Sequence, residues 1–122
     1  RVQVVRKEDL ADTVQTAGMT RKKAFASEQA WTGIAHTAPG FTSGWHHHGA
    51  YNSYIYLISG RARLESGPGG RDVIDGGPGD FVYVPAHIIH REGNPGPEEQ
   101  VLVVFRVGEG EPVFNVDGPE GS

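Results

Sequence analysis

The chain reads as an all-β sandwich or barrel, because short β-compatible runs alternate with glycine and proline clusters and no long helical period competes with them. Its 122 residues include 18 glycines and 8 prolines, so much of the length is turn. The β-compatible runs fall at 24–26, 30–37, 42–48, 53–59, 61–66, 71–74, 81–84, 88–92 and 101–107. Pro39-Gly40, the cluster 66–70, the cluster 76–79 and Asn94-Pro95-Gly96-Pro97 punctuate them. This spacing of short strands leaves no domain boundary and no internal repeat.

Residues 7–16, KEDLADTVQT, hold the best helical candidate, since Leu10 and Val14 fall at i and i+4. That pair predicts a short helical turn or a loop. One domain over 1–122 is expected, with a core over 21–107 and an N-terminal arm over 1–20. In the C-terminal tail, 108–122, Val113 and Phe114 are expected to dock as an edge before the chain frays.

The formal charge of −4 argues against nucleic acid or an anionic membrane as partner, which would favour a basic face. Arg21-Lys22-Lys23, the only basic cluster, reads as solvated surface. The absence of cysteine excludes disulfides, thiolate metal sites and a cysteine nucleophile. No apolar stretch approaches 18 residues and no charged start precedes an apolar core, so a cytoplasmic chain is expected.

Three histidines follow one another in Trp45-His46-His47-His48-Gly49, and His90 closes the apolar run that starts at Phe81. On a strand His46 and His48 share one face and His47 takes the other. Their separation, roughly 6.6 Å of rise, is one that two imidazoles can close by leaning towards an ion roughly 2.1 Å from each nitrogen. The spacing suits a metal.

The context sharpens this reading. Gly40 is followed after five residues by His46, after one more by His48, after four by Ser53 and after six by Gly60. In a second string Gly79 is followed after five residues by Pro85, then by Ala86 and His87, after two by His90 and after three by Asn94. These strings resemble the two signature motifs of the cupin superfamily and span Gly40 to Asn94, close to half the chain. The resemblance implies a jelly-roll, or double-stranded β-helix, barrel, with one divalent metal held by His46, His48 and His90. Two positions depart from the pattern. Ser53 stands where a glutamate ligand is usual, which leaves three neutral imidazoles. His87 stands where glycine is usual, and a non-glycine residue there prefers a negative φ.

Alternation assigns the neighbours. With Ser53 inward, Ile55 and Leu57 follow it inside, while Tyr54, Tyr56 and Ile58 form an outward apolar stripe. Such a stripe predicts a cover, either the 2–5 segment or a second copy in a homodimer. Ile88, His90 and Glu92 share a face. Glu92 is either an acceptor for an imidazole N–H or a catalytic base, or, more simply, a partner for Arg91, Arg106 or solvent. Ser53 is the second catalytic candidate. His36, His47 and His87 are left off the site, and Trp31, Trp45, Phe81 and Phe105 read as core and pocket wall.

An open, neutral triad leaves the charge of a dipositive ion uncompensated, so a small anionic or chelating substrate is expected. Small cupins with three histidines and no glutamate are similar to diketone-cleaving dioxygenases. The resemblance therefore implies a non-haem metal-dependent oxygenase acting on a small enolisable carbonyl or organic acid, with Fe(II) favoured and Mn, Ni, Cu or Zn compatible. A redox-neutral lyase, isomerase or cyclase, and a non-catalytic binding barrel, are the alternatives.

Overall fold

The computed structural model describes residues 1–13 and 15–119, and within them two antiparallel sheets face each other. The first has six strands in the order β1 (Ala11–Asp12), β2 (Met19–Ala26), β3 (Ala30–Thr37), β10 (Gln100–Val107), β5 (Asn52–Ser59) and β8 (Phe81–Val84). The second has five, in the order β11 (Phe114–Asn115), β4 (His46–His47), β9 (His90–Gly93), β6 (Ala62–Ser66) and β7 (Asp72–Gly76). The architecture is the double-stranded β-helix barrel.

Period-two alternation builds the interior. Along β5, Ser53, Ile55 and Leu57 are buried while Tyr54, Tyr56 and Ile58 are exposed. Ala35, Leu102 and Val104 from the same sheet, and Ala62 and Leu64 from the other, join Val84 in one apolar cluster, with Trp31 and Val82 packed against it. Burying a Leu, Ile or Val side chain contributes about 1.5–3 kcal/mol, so a cluster of this size is enough to hold the two sheets together. Asn94 fixes the loop behind the site: its amide donates to the carbonyls of Thr37 and Glu98, at 3.1 and 2.6 Å. Gly93 beside it has no room for a side chain, since a Cβ there would meet the Phe41 carbonyl oxygen at 2.5 Å.

The short helical turn expected within 7–16 is present as a 3-10 turn at Lys7–Asp9, with the short strand β1 after it, while several other expectations are corrected. Leu10 is described, and Val14 lies outside the described residues. The strand expected over 24–26 begins at Met19, whose side chain is buried. The strand expected over 42–48 shortens to His46–His47, with Ser43 N–H bonded instead to the Glu92 carbonyl at 2.8 Å. Phe81 and Phe105, expected inside, point outward at 80 % and 44 % exposure, since Val84, Leu102 and Val104 take the inward positions of their strands. The 2–5 segment leaves the outward stripe open, with Val2 itself 99 % exposed. The tail does dock as an edge through β11 on β4, and residues 120–122 lie outside the described residues. Among the described residues no helix is long and apolar enough to cross a membrane.

Candidate metal centre

The five-stranded sheet supplies the triad. His46 and His90 are register partners across β4 and β9, and His48 follows His46 by two residues, so all three rings enter the barrel. Their ring centroids lie 4.4 to 5.2 Å apart, and one ligand nitrogen from each lies within 4.8 Å of the others. All three residues are buried.

Which nitrogen faces the centre is fixed by what the other one does. His46 Nδ1 lies 2.9 Å from the Gly44 carbonyl, His48 Nδ1 lies 2.8 Å from that of Pro112, and His90 Nδ1 lies 3.0 Å from that of Ile88. A carbonyl only accepts, so in each ring Nδ1 carries the proton and Nε2 keeps a lone pair. His90 Nε2 is buried with no hydrogen-bond partner. A buried acceptor left unmet costs free energy, and a divalent transition metal meets three such nitrogens together. The residues fit the ion.

Burial also keeps the rings ready. It lowers His48 to about 4, with the nearby Arg106 guanidinium acting in the same direction. Burial lowers His90 as well, against the pull of Glu92 and of the Ile88 carbonyl. Both are neutral at pH 7, the form a metal needs.

A second pair of loops holds the motifs in place. The Asn52 side-chain oxygen accepts from Ala86 N–H at 3.0 Å and from the Tyr83 hydroxyl at 2.9 Å, and His87 N–H donates to the Gly49 carbonyl at 2.8 Å. His87 itself has φ +65, so the backbone keeps the conformation of the usual glycine and the expected negative φ does not occur. That arrangement carries about 1–2 kcal/mol of strain. The hydrogen bonds on both sides hold it.

The remaining histidines stay off the centre. His47 faces out and stacks on Phe114 at 4.8 Å, and His36 pairs with Glu99 at 3.1 Å. Trp45 lies under the Arg91 guanidinium, 4.6 Å from its centroid, and Trp31 lines the cavity.

The cavity encloses about 650 Å³ and is lined by the triad together with Ser53, Glu92 and Arg106. Of the simpler partners expected for Glu92, Arg91 is taken and Arg106 acts on it electrostatically without an ion pair. Arg91 pairs with Glu65, and the Glu92 carboxylate turns into the triad, 3.9 Å from His46 Nε2 and 3.8 Å from His90 Nε2. Burial alone would raise its carboxyl, but His90, His46, His48 and Arg106 outweigh that and leave it lowered. Ser53 Oγ is buried without a hydrogen-bond partner.

From sequence alone Arg106 is expected only as a partner for Glu92. The signal for more is present there, since Leu102, Val104 and Arg106 alternate onto the inner face of β10. Its Nε is buried without a partner, and among the described residues it forms no ion pair. Burial lowers its guanidinium while Glu92 acts the other way. Arginine stays charged under such shifts.

A β-helix barrel with a buried histidine triad lining its cavity defines a metal-binding barrel of the double-stranded type. The Cupin domain family model matches residues 33–106, more than half of the chain, and the protein belongs to that family. A comparison with curated proteins finds no match. Among solved structures, the polyketide cyclase RemF from Streptomyces resistomycificus is similar, with TM-score 0.78 and 18 % identity over 95 % of this chain and 86 % of that one. A Klebsiella pneumoniae protein with a double-stranded β-helix domain matches with TM-score 0.75 and 18 % identity, over 94 % and 92 % of the two chains. Bacillus subtilis oxalate decarboxylase, an enzyme with Mn(II) centres, matches with TM-score 0.74 and 21 % identity; 87 % of this chain covers 30 % of that one. At these identities the likeness is one of fold.

Proposed function

We propose that this cupin is a metal-dependent enzyme acting on a small, anionic or chelating substrate, an enolisable carbonyl compound or organic acid. The observation that carries the reading is Arg106, a half-buried cation over the Trp31 ring whose buried Nε has no hydrogen-bond partner and which forms no ion pair among the described residues, in the same cavity as the triad. A desolvated charge without a counter-ion is costly. A substrate carboxylate or enolate would supply the missing charge.

When bound, the metal supplies Lewis acidity toward a chelating oxygen. Of the chain's own groups, Arg106 binds and orients the anionic end. Ser53, its register partner across β5 and β10, presents a hydroxyl able to hold or pass a proton at Oγ. Trp31 and Ile55 in the wall exclude water. Within this frame we favour dioxygen-dependent cleavage, with Fe(II) as the metal. A redox-neutral lyase, isomerase or cyclase reaction is the second reading, supported by the Ser53 hydroxyl, a group able to carry a proton beside a bound enolate. The proposal includes a homodimer formed through the outward face of β5 and β8.

The test begins with metal content: His46→Ala, His48→Ala and His90→Ala should each lose the ion, while His36→Ala and His47→Ala keep it. Oxygen uptake by the Fe(II)-loaded protein with a panel of β-diketones and α-hydroxyketones then separates the readings. Uptake matched to substrate loss supports the oxygenase, and substrate loss without uptake supports the redox-neutral enzyme. Binding without turnover under Fe, Mn, Ni, Cu or Zn would leave a non-catalytic barrel and remove the enzyme.

A further inference from the structure

We propose that Glu92 is a fourth protein ligand of the metal, so that the carboxylate absent from position 53 is supplied by the strand of His90. Glu92 follows His90 by two positions on β9, which places both side chains on the inner face. The two carboxylate oxygens approach different rings: Oε1 lies 3.9 Å from His46 Nε2 and Oε2 lies 3.8 Å from His90 Nε2. Those separations are too long for hydrogen bonds. They suit two donor atoms that share one ion, because ligands about 2.1 Å from a common metal sit about 3–4 Å from each other.

Among the described residues nothing else claims the carboxylate. Arg91, its neighbour, is taken by Glu65. Arg106 makes no ion pair with it within 4 Å, and no hydrogen bond from a described residue reaches either oxygen. The three Nδ1 positions are filled by backbone carbonyls, so Glu92 is not the acceptor that orients an imidazole. A half-buried carboxylate aimed at the two lone pairs that face the centre needs a cation there.

The placement has a structural consequence. With His46, His48, His90 and Glu92 all on or beside the five-stranded sheet, the ion is held from one side. Its free positions then face the six-stranded sheet, where Ser53 and Arg106 wait for the substrate. In the usual pattern the glutamate would come from β5 and stand between the ion and Arg106. Moving it to β9 leaves that side open to an anion.

This inference rests on the triad's being a metal centre, and it is read without turnover, so an inactive but metal-loaded protein would leave it standing. Mn(II) is the probe. Glu92→Ala should weaken Mn(II) binding by about 10- to 100-fold and add at least one bound water, counted by pulsed EPR in oxygen-17 water. A carboxylate that acted only through its charge would change the affinity and leave the water count alone, and that result overturns the proposal. Binding within about twofold of the parent overturns it as well. Should the alanine variant fail to fold, the isosteric Glu92→Gln decides: a neutral amide is the poorer ligand, so weaker binding is expected and unchanged binding overturns the assignment.

Discussion

His48 and Pro112 stand 64 residues apart, and the ring of the first donates its Nδ1–H to the carbonyl of the second at 2.8 Å. The C-terminal tail is thereby part of the metal centre. Pairing of Phe114 with His47 and of Asn115 with His46 fixes that carbonyl in place.

The same burial makes folding depend on pH. His48 is lowered to about 4 by desolvation and by Arg106, whereas in the unfolded chain it titrates near 6.5. Between those values the unfolded chain binds a proton that the folded chain refuses. The stabilisation is complete above pH 6.5 and is lost as pH falls toward 4, by roughly 3 kcal/mol at the limit. His90, also lowered, adds in the same sense. The melting temperature of the metal-free protein should fall across this window, and His48→Gln should flatten the fall. A parent profile with no slope there would contradict the assignment.

The elements readable in the sequence are those with a strong period between breakers. The runs 30–37 and 81–84 appear as β3 and β8 with the expected bounds, because turn clusters limit both. The alternation from Ser53 to Ile58 settles its own faces. A two-residue edge strand such as β1 has no period to detect, and for β11 the apolar pair Val113-Phe114 signals an edge while its partner, β4, lies far away in sequence. Phe81 is misread for another reason: aromatic size says that a side chain wants cover, not which face of the strand provides it. Alternation does put Glu92 on the inner face, yet only the meeting of β4 and β9 shows that its oxygens reach two rings.

His87 offers a test of stored strain. Its φ of +65 is one that glycine adopts freely, and its N–H bond to Gly49 belongs to the backbone and survives substitution. The gain from relieving about 1–2 kcal/mol is partly offset by the entropy of glycine in the unfolded chain, about 0.5–1 kcal/mol. The net gain of up to about 1.5 kcal/mol means that His87→Gly should hold the melting temperature or raise it by up to about 6 °C. A lower melting temperature would mean that the contact between the His47 and His87 rings, 6.4 Å apart, outweighs the strain.

The outward face of β5 and β8 carries Tyr54 stacked on Tyr83 at 5.2 Å and Tyr56 against Phe81 at 4.8 Å, all exposed. A continuous aromatic surface of this kind is unusual on a monomer, and a second copy related by a two-fold axis would cover it with its own. Light scattering at micromolar concentration should give the mass of a dimer. Phe81→Asp, at a side chain 80 % exposed, should leave the fold intact and give a monomer. A monomeric parent would remove the dimer.

Ser53 and Arg106 are Cα partners across β5 and β10, and the small hydroxyl puts no carboxylate opposite the guanidinium, which forms no ion pair among the described residues. Ser53→Glu would place a negative charge beside Arg106 and offer one more oxygen to the ion. The metal should be held at least as firmly, since a carboxylate is a stronger donor than the water it displaces. An anionic chelator would lose twice, because its counter-charge on Arg106 is already met and one coordination position is taken. Calorimetric titration of a β-diketone into the metal-loaded proteins should then show binding weakened by about tenfold or more, a loss near 1.4 kcal/mol. Ser53→Ala removes the hydroxyl without adding charge and should bind the diketone within a few-fold of the parent. Equal affinity in the parent and Ser53→Glu would mean that the open side of the centre, and Arg106 behind it, do not select the ligand.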